Sequence, residues 1–143
     1  MTLPEAPPTP TPTPTAPRSA AWWCGWLLIA TGIVHLGYGT IVYWSDLTDI
    51  ATSGLGGASG DVDRERCFWF LLAGPAMLMT GAWARREYAR QGTVPRILAW
   101  YLLFLGSLAL LMPDGGFWLF LPQSALAFRA AARGPDRAAE TAH

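Results

Sequence analysis

The stretch that decides the fold runs from Trp22 to Trp44 and reads WWCGWLLIATGIVHLGYGTIVYW, 23 residues without one Asp, Glu, Lys or Arg. At about 1.5 Å per residue, a helix of this length spans about 35 Å, enough to cross a bilayer core of about 30 Å. The segment is apolar or small on every side, so it has no face to turn toward water. Its aromatic residues gather near both ends, where Trp and Tyr favour the membrane interface. We therefore predict a transmembrane helix over residues 22–44.

Three further apolar segments predict three more spans, over residues 67–84, 97–113 and 115–132. The first of these contains Pro75, which we expect to kink or locally open its helix. The apolar run within the last, residues 117–128, is short for a span, and the segment reaches about 18 residues only if Arg129 extends its charge to the interface. The turn after Pro113 is too tight to do anything but return the chain antiparallel. The predicted fold class is all-α: a polytopic membrane protein whose residues 21–132 form an antiparallel bundle of four transmembrane helices.

Composition agrees with a membrane protein. Hydrophobic residues make up 52% of the chain and charged residues 14%, whereas a soluble domain has about 25% charged residues. These charges are too few to coat a soluble surface. The formal net charge is zero, so the chain carries no global signal for nucleic-acid binding.

The arginines predict the orientation of the bundle. Eight of them would lie on one side of the membrane: Arg18, Arg85, Arg86, Arg90, Arg96, Arg129, Arg133 and Arg137. Only Arg64 and Arg66 would lie on the other side, in the acidic loop 45–66, whose first apolar residues favour a short interfacial helix. The excess of arginine predicts that both ends of the chain are cytoplasmic. Residues 1–20 are a Pro/Thr-rich tail that we expect to be disordered, and residues 133–143 form a polar C-terminal tail.

Small residues recur at seven-residue spacing along the first three predicted helices. Seven residues make nearly two turns, so each set lies along one stripe of its helix. Lipid supplies no hydrophobic drive between helices, and small residues allow their backbones to approach closely. We predict that six glycines are helix-packing residues: Gly25, Gly32, Gly39, Gly74, Gly81 and Gly106.

His35 lies on the small-residue stripe of the first helix, near the bilayer midplane, and Ser107 and Gln123 lie at similar depth. These three residues form the candidate polar layer or ligand site. An ionisable residue at membrane depth is a functional hypothesis by default: a proton relay, a haem or metal ligand, or a contact to a quinone-like molecule. In the structural alternative, a neutral imidazole exchanges hydrogen bonds of about 0.6–2 kcal/mol with neighbouring helices. The sequence leaves both alternatives open.

Several chemistries are disfavoured. No Asp or Glu lies inside a predicted span, which argues against a carboxylate-coupled pump. One histidine cannot supply two axial haem ligands without a second copy of the chain. No nucleophile–base–orienter trio for hydrolysis is evident, and Cys24 and Cys67 have no Cys/His spacing typical of zinc sites. We therefore predict no catalytic residue, no metal site and no resident cofactor, with a quinone or haem as the alternative.

Three segments carry a resemblance to a known family: GWLLIATGIVH (25–35), CFWFLLAGPAMLMTG (67–81) and MPDGGFWLFLP (112–122). They resemble short bacterial membrane proteins known only as a domain of unknown function. The resemblance covers about residues 22–132, and the MPDGGFW turn is its most specific part. In size and four-helix layout the chain is also similar to the DoxX-like membrane proteins, without a shared motif. The resemblance implies a multi-pass protein of the bacterial cytoplasmic membrane and assigns no catalytic residue.

Three functional hypotheses remain. The first is a non-enzymatic accessory or interaction module in the lipid bilayer, acting as a homo-oligomer or with another membrane protein. The second is a redox-associated membrane protein that binds a quinone or haem-like cofactor near His35. The third is a small dimeric transporter, which is disfavoured because such exporters need a membrane-buried charge. None of the three involves nucleic acid.

Overall fold

The computed structural model describes residues 19–132, and every regular element in this range is helical. The predicted all-α class is therefore confirmed for the described part of the chain. The predicted tails lie outside it, apart from the last two residues of the first. The helices are α1 (Ala20–Val42), α2 (Trp44–Ser53), α3 (Val62–Gln91), α4 (Arg96–Ser107) and α5 (Phe120–Ala132), with short 3-10 turns at Leu108–Leu110, Pro113–Gly115 and Phe117–Leu119.

The first helix begins where the sequence supplies a cap. The backbone N–H of Trp22 donates to Oγ of Ser19 at 3.3 Å, which satisfies one of the free N–H groups of the first turn. The helix then runs for 23 residues to Val42, close to the predicted span. After Tyr43 the chain enters α2, the predicted short helix at the start of the acidic loop. None of its residues is buried, so α2 lies on the surface of the molecule.

The third helix, α3, is longer than its predicted span at both ends. It has 30 residues, whereas the uncharged run 67–84 predicted 18. The prediction was too short because charged residues end a lipid-compatible segment without ending a helix, and Arg and Glu are good helix formers. The helix therefore reaches beyond the apolar run at both ends.

The ends of α3 are fixed by an aspartate and a glycine. The carboxylate of Asp61 accepts hydrogen bonds from the N–H groups of Asp63 and Arg64, at 3.0 and 3.1 Å. At the other end Gly92 adopts a left-handed conformation with φ of 70°, a common way for a helix to stop. Pro75 lies inside the helix without ending it.

The third predicted span is shorter as a regular helix than the sequence suggested. The α-helix α4 ends at Ser107, and a 3-10 turn continues it to Leu110. The absence of charge in the run 97–113 predicts which residues are compatible with lipid. It does not predict where the α-helical hydrogen bonds end. The last residues of this run therefore leave the helix although they remain apolar.

The predicted helix over 115–132 also begins late. Gly116 has φ of 72°, a conformation that favours glycine and breaks helical geometry. A 3-10 turn follows at Phe117, and the regular helix α5 starts only at Phe120. Pro122 is tolerated because it lies in the first turn of α5, where its missing N–H would have no helical partner.

The four long helices pack in the order α3, α1, α5, α4. Helix α1 lies between α3 and α5, and α5 also packs on α4. The two outer helices of this row, α3 and α4, enclose a groove between them. The buried apolar core takes residues from all four of these helices and from the α3–α4 turn: Ala21, Cys24, Leu28, Ala84, Val94, Leu98, Ala99, Leu102, Phe120, Ala127 and Ala130.

Two helices, α1 and α3, are long and apolar enough to cross a membrane, by length and composition alone. The apolar stretch Arg96–Leu110 is shorter, and α5 has 13 residues, about 20 Å of helix. Helices α1 and α3 are therefore candidate membrane spans by length and composition. The other two segments fall short of the bilayer core as regular helices.

Candidate functional site

The contact between α1 and α3 is lined by five of the predicted packing glycines: Gly25, Gly32, Gly39, Gly74 and Gly81. We call this contact the glycine seam, and all five members are buried. A Cβ added at Gly81 would lie 2.9 Å from the carbonyl oxygen of Gly25 and 2.9 Å from the backbone nitrogen of Ile29. Backbone atoms cannot swing aside as side chains do, so the two helices lie as close as glycine permits. The sixth predicted glycine, Gly106, packs against Leu121 between α4 and α5.

Arg85 crosses one end of the glycine seam. Its side chain occupies the space beside Gly25, where an added Cβ would collide with Cγ of Arg85. Its guanidinium carbon lies 3.9 Å from the ring centre of Trp26, a cation–π contact. This contact links α3 to α1 beside the glycine seam.

His35 joins α1 to α3. Its Nε2 lies 2.8 Å from the carbonyl oxygen of Phe70. A carbonyl only accepts hydrogen bonds, so Nε2 carries the proton and Nδ1 of the neutral ring is an acceptor. The imidazole also stacks on the ring of Phe70, with centroids 4.0 Å apart and an interplanar angle of 14°. A metal or haem iron could bind this imidazole only at Nδ1, or after the bond to α3 breaks.

Gln123 joins α5 to α1. Its Nε2 donates to Oγ1 of Thr31 at 2.9 Å, and the Thr31 hydroxyl donates in turn to the carbonyl of Leu27 at 2.8 Å. Gln123 is 4% exposed, and its Oε1 has no hydrogen-bond partner among the described residues. A buried oxygen without a donor costs about 1–3 kcal/mol. Oε1 of Gln123 could therefore accept a hydrogen bond from one further donor.

The structure does not join the three predicted polar residues into one layer. Ser107 is exposed, and its hydroxyl donates to the carbonyl of Phe104 in its own helix. His35 bonds to α3, and Gln123 bonds to Thr31. Counting residues from the ends of a span gives depth, but it does not give the direction in which each side chain leaves its helix. The predicted polar layer therefore separates into two interhelical hydrogen bonds and one bond within a helix.

Two further polar contacts were missed from the sequence. The buried hydroxyl of Ser124 donates to the carbonyl of Ala99 at 2.9 Å. The hydroxyl of Thr93, in the turn between α3 and α4, donates to the carbonyl of Ala130 at 2.9 Å. Both bonds fix α5 against its neighbours. The one available signal was that Ser124 directly follows Gln123, and it does not reveal the partner.

An acidic cavity of about 430 Å³ lies between α2 and the start of α3, lined by Asp46, Asp49, Thr52, Ser53, Asp61, Asp63 and Arg64. The backbone N–H of Arg64, which donates to the Asp61 carboxylate, lowers the pKa of Asp61 below its ordinary value. Within residues 19–132, no group of three His, Cys, Asp or Glu side chains is placed to share a metal ion. Asp49, Asp61 and Asp63 in the lining of this cavity are exposed.

A second cavity, of about 130 Å³, lies between α3 and α4, and we call it the α3–α4 groove. Its floor is formed by the buried residues Leu28, Leu102 and Phe120. Its open side is formed by Ala76 and Tyr101, which are exposed. The remaining lining residues are Ala73, Met77, Thr80, Leu105 and Phe117. The groove is thus an almost wholly apolar recess.

Comparison with known proteins identifies a family without a known activity. A family model described as Family of unknown function (DUF6463) matches residues 19–134, which include all five helices. No curated protein and no solved structure matches the chain. The expected resemblance to an uncharacterised family is confirmed. Because the match takes in most of the sequence, this protein belongs to the Family of unknown function (DUF6463).

Proposed function

We propose that this protein is a four-span integral protein of the bacterial cytoplasmic membrane that acts as a non-enzymatic interaction module. The observation that carries the proposal is the exposure of large apolar side chains on all four long helices. Examples on these helices are Val34, Ile41, Trp69, Met79, Ile97, Phe104 and Leu121, and Trp118 is exposed in the turn before α5. Water-soluble monomers rarely expose apolar patches of this extent. Lipid, in contrast, solvates such side chains without cost.

The 3-10 turns support spans by the two shorter helices. A 3-10 turn rises about 2 Å per residue. Helix α4 with the turn Leu108–Leu110 therefore reaches about 24 Å. Helix α5 with the turn Phe117–Leu119 reaches about 26 Å. A shortfall of a few Å against a core of about 30 Å is accommodated by local thinning of the bilayer at modest cost.

The distribution of charge supports an orientation with both chain ends in the cytoplasm. The bond from Thr93 to Ala130 holds the α3–α4 turn beside the C-terminal end of α5. This end of the bundle carries Arg85, Arg86, Arg90, Arg96 and Arg129. The opposite end carries Arg64 and Arg66 among five acidic residues. The positive-inside rule assigns the arginine-rich end to the cytoplasm.

An interaction role fits the interior of the bundle. The packed surface of α1 and α3 is filled by glycine contacts, and the Nε2 of His35 is used to bond Phe70. Among the described residues, the buried polar side chains are Gln123 and Ser124, which are both neutral. Charge-coupled transport has no buried charge to work with in this part of the chain. The outer helix faces are then the surfaces available to a second copy or to another membrane protein.

Site-specific photocrosslinking in intact membranes tests the interaction role. A photoreactive amino acid replaces Phe104 on α4 or, as a matched position, Val34 on α1, which are 62% and 70% exposed. An interaction module should give a discrete protein adduct from one of these faces, either a self-dimer or one defined partner. Lipid adducts alone from both positions would contradict the interaction role. They would leave the membrane location intact.

A further inference from the structure

We propose that the outer side of α3 binds an anionic phospholipid of the cytoplasmic leaflet, with the phosphate held by Arg86 and Arg90 and an acyl chain lying along the helix toward Leu72. This inference rests on the proposed membrane location. It requires that α3 crosses the bilayer with its C-terminal end in the cytoplasm. It does not depend on the proposed interaction role, nor on spans by α4 and α5.

The site lies along one side of α3. Residues three and four apart are neighbours on a helix surface. This spacing aligns six residues, which are all exposed and which we call the outer stripe: Leu72, Ala76, Met79, Trp83, Arg86 and Arg90. Gly81 of the glycine seam lies nine residues before Arg90, or two and a half turns. The outer stripe is therefore on the side of α3 that faces away from α1.

The chemistry of the outer stripe changes along its length in the order of a membrane leaflet. Leu72 and Met79 are apolar and are 47% and 73% exposed. Trp83 follows, and tryptophan favours the boundary between hydrocarbon and headgroups. The two arginines come last, at the level of the headgroups. A phospholipid beside this stripe would meet a matching side chain at each depth.

Arg86 and Arg90 form a pair of positive charges without a counterion in residues 19–132. They lie one turn apart, a spacing at which like charges repel each other. Neither side chain has a hydrogen bond or an ion pair to another described residue. The carboxylate of the adjacent Glu87 instead accepts a bond from Gln91 at 2.7 Å. An anion between the two guanidinium groups would therefore relieve the repulsion at this end of α3.

The other arginines near the ends of α3 already have partners. The guanidinium of Arg85 lies over a tryptophan ring of α1. At the opposite end, Arg64 and Arg66 form ion pairs with Asp61 and Asp63. The unmatched positive charge of this helix is thus confined to the outer stripe.

An anionic phospholipid fits both the charge and the length of the outer stripe. The guanidinium fork matches phosphate oxygens, and anionic headgroups attract arginines that lie beside a membrane span. The stripe runs about 16 Å from Leu72 to Trp83, about one leaflet of a core of about 30 Å. A free phosphate ion would contact the arginines alone. A phospholipid would contact the arginines and the apolar residues together.

The test uses the full-length protein in phosphatidylcholine nanodiscs that contain a small fraction of phosphatidylglycerol with a photoreactive acyl chain. After illumination, mass spectrometry of the peptides should place the labels within residues 72–83. Arg86→Gln combined with Arg90→Gln should reduce labelling at least about tenfold, since each arginine beside an anionic headgroup contributes about fivefold. The matched control combines Arg96→Gln with Arg129→Gln, at exposed positions on α4 and α5. It should leave labelling within about threefold, because salt screens more distant charges.

An equal loss of labelling in the two double variants would overturn the proposal, because a diffuse basic surface would then attract the lipid. Equal labelling by phosphatidylcholine with the same photoreactive chain would show that the arginines select no anionic headgroup, and would also overturn it. Competition by inorganic phosphate would assign the arginines to a free anion instead. Circular dichroism of each variant verifies folding. If α3 crosses the bilayer and phosphatidylglycerol is still not preferred, this site is wrong while the membrane location stands.

Discussion

Gly81 and Gly37 are both helical glycines of predicted spans, and their surroundings differ. A Cβ at Gly81 would meet backbone atoms of α1 at 2.9 Å, whereas a Cβ at Gly37 would meet no heavy atom within 4 Å. The difference is between a helix contact and an exposed position. Gly81 thus limits the distance between α1 and α3, whereas Gly37 does not.

Substitution of these two glycines should separate the effects. Gly81→Ala is expected to lower the free energy of unfolding by about 1–3 kcal/mol, because the backbones of α1 and α3 must move apart. Gly37→Ala is expected to be neutral or to stabilise by up to about 1 kcal/mol, since alanine favours a helix interior. Thermal unfolding in detergent measures both. Equal destabilisation by the two changes would contradict the glycine seam.

His35 should show the tautomer that its contact requires. The bond to the Phe70 carbonyl places the proton of the neutral ring on Nε2. Nitrogen NMR of histidine-labelled protein distinguishes this tautomer, and a proton found on Nδ1 would rule the contact out. His35→Ala should then cost about 0.6–2 kcal/mol of stability, while the helix content remains unchanged.

The sequence predicts the glycine positions better than the polar ones for a physical reason. Seven-residue spacing repeats the same direction around a helix, so Gly25, Gly32 and Gly39 necessarily share a face. The sequence assigns Ser107 and Gln123 to one layer by depth alone, and depth does not give the direction in which a side chain leaves its helix. The hydrogen-bond partners of His35 and Gln123 depend on how the helices are rotated against each other, which no local pattern records.

At the scale of elements, apolar runs predict where lipid is tolerated, and caps decide where helices begin and end. The span 22–44 nearly coincides with α1 because Ser19 caps it. The run 67–84 underestimates α3 because the helix continues to its cap at Asp61 and its stop at Gly92. The span 115–132 fails at its start because Gly116 takes a positive φ, a feature that the Gly-Gly pair suggests but does not locate.

The cap of α3 should depend on pH. The Arg64 N–H lowers the pKa of Asp61 in the folded protein, so the cap stabilises α3 above the ordinary Asp pKa. This stabilisation is lost as the pH falls through the lowered value. Hydrogen exchange of the Asp63 and Arg64 amides should therefore quicken, relative to intrinsic rates, below the usual Asp range. Asp61→Asn keeps an acceptor and should abolish this pH dependence; an unchanged dependence would assign it to another group.

At the scale of the whole molecule, the proposed topology depends on how many helices cross the bilayer. A bilayer around α1, α3, α4 and α5 would explain the exposed apolar faces, the arginine-rich end and the open side of the α3–α4 groove. Two of these helices could span by length alone. Whether α4 and α5 also cross decides between four spans and two. The turn near Met112 lies outside the cell with four spans and in the cytoplasm with two.

Single-cysteine labelling in intact cells tests this most directly. With Cys24 and Cys67 replaced by alanine, a membrane-impermeant maleimide is applied to Ser59→Cys, Gln91→Cys and Met112→Cys, all at exposed positions. Four spans predict that the cysteines at 59 and 112 react from outside, whereas the cysteine at 91 reacts only after the membrane is opened. If the cysteine at 112 is protected like the one at 91, α4 and α5 do not cross the bilayer, and the four-span account is wrong.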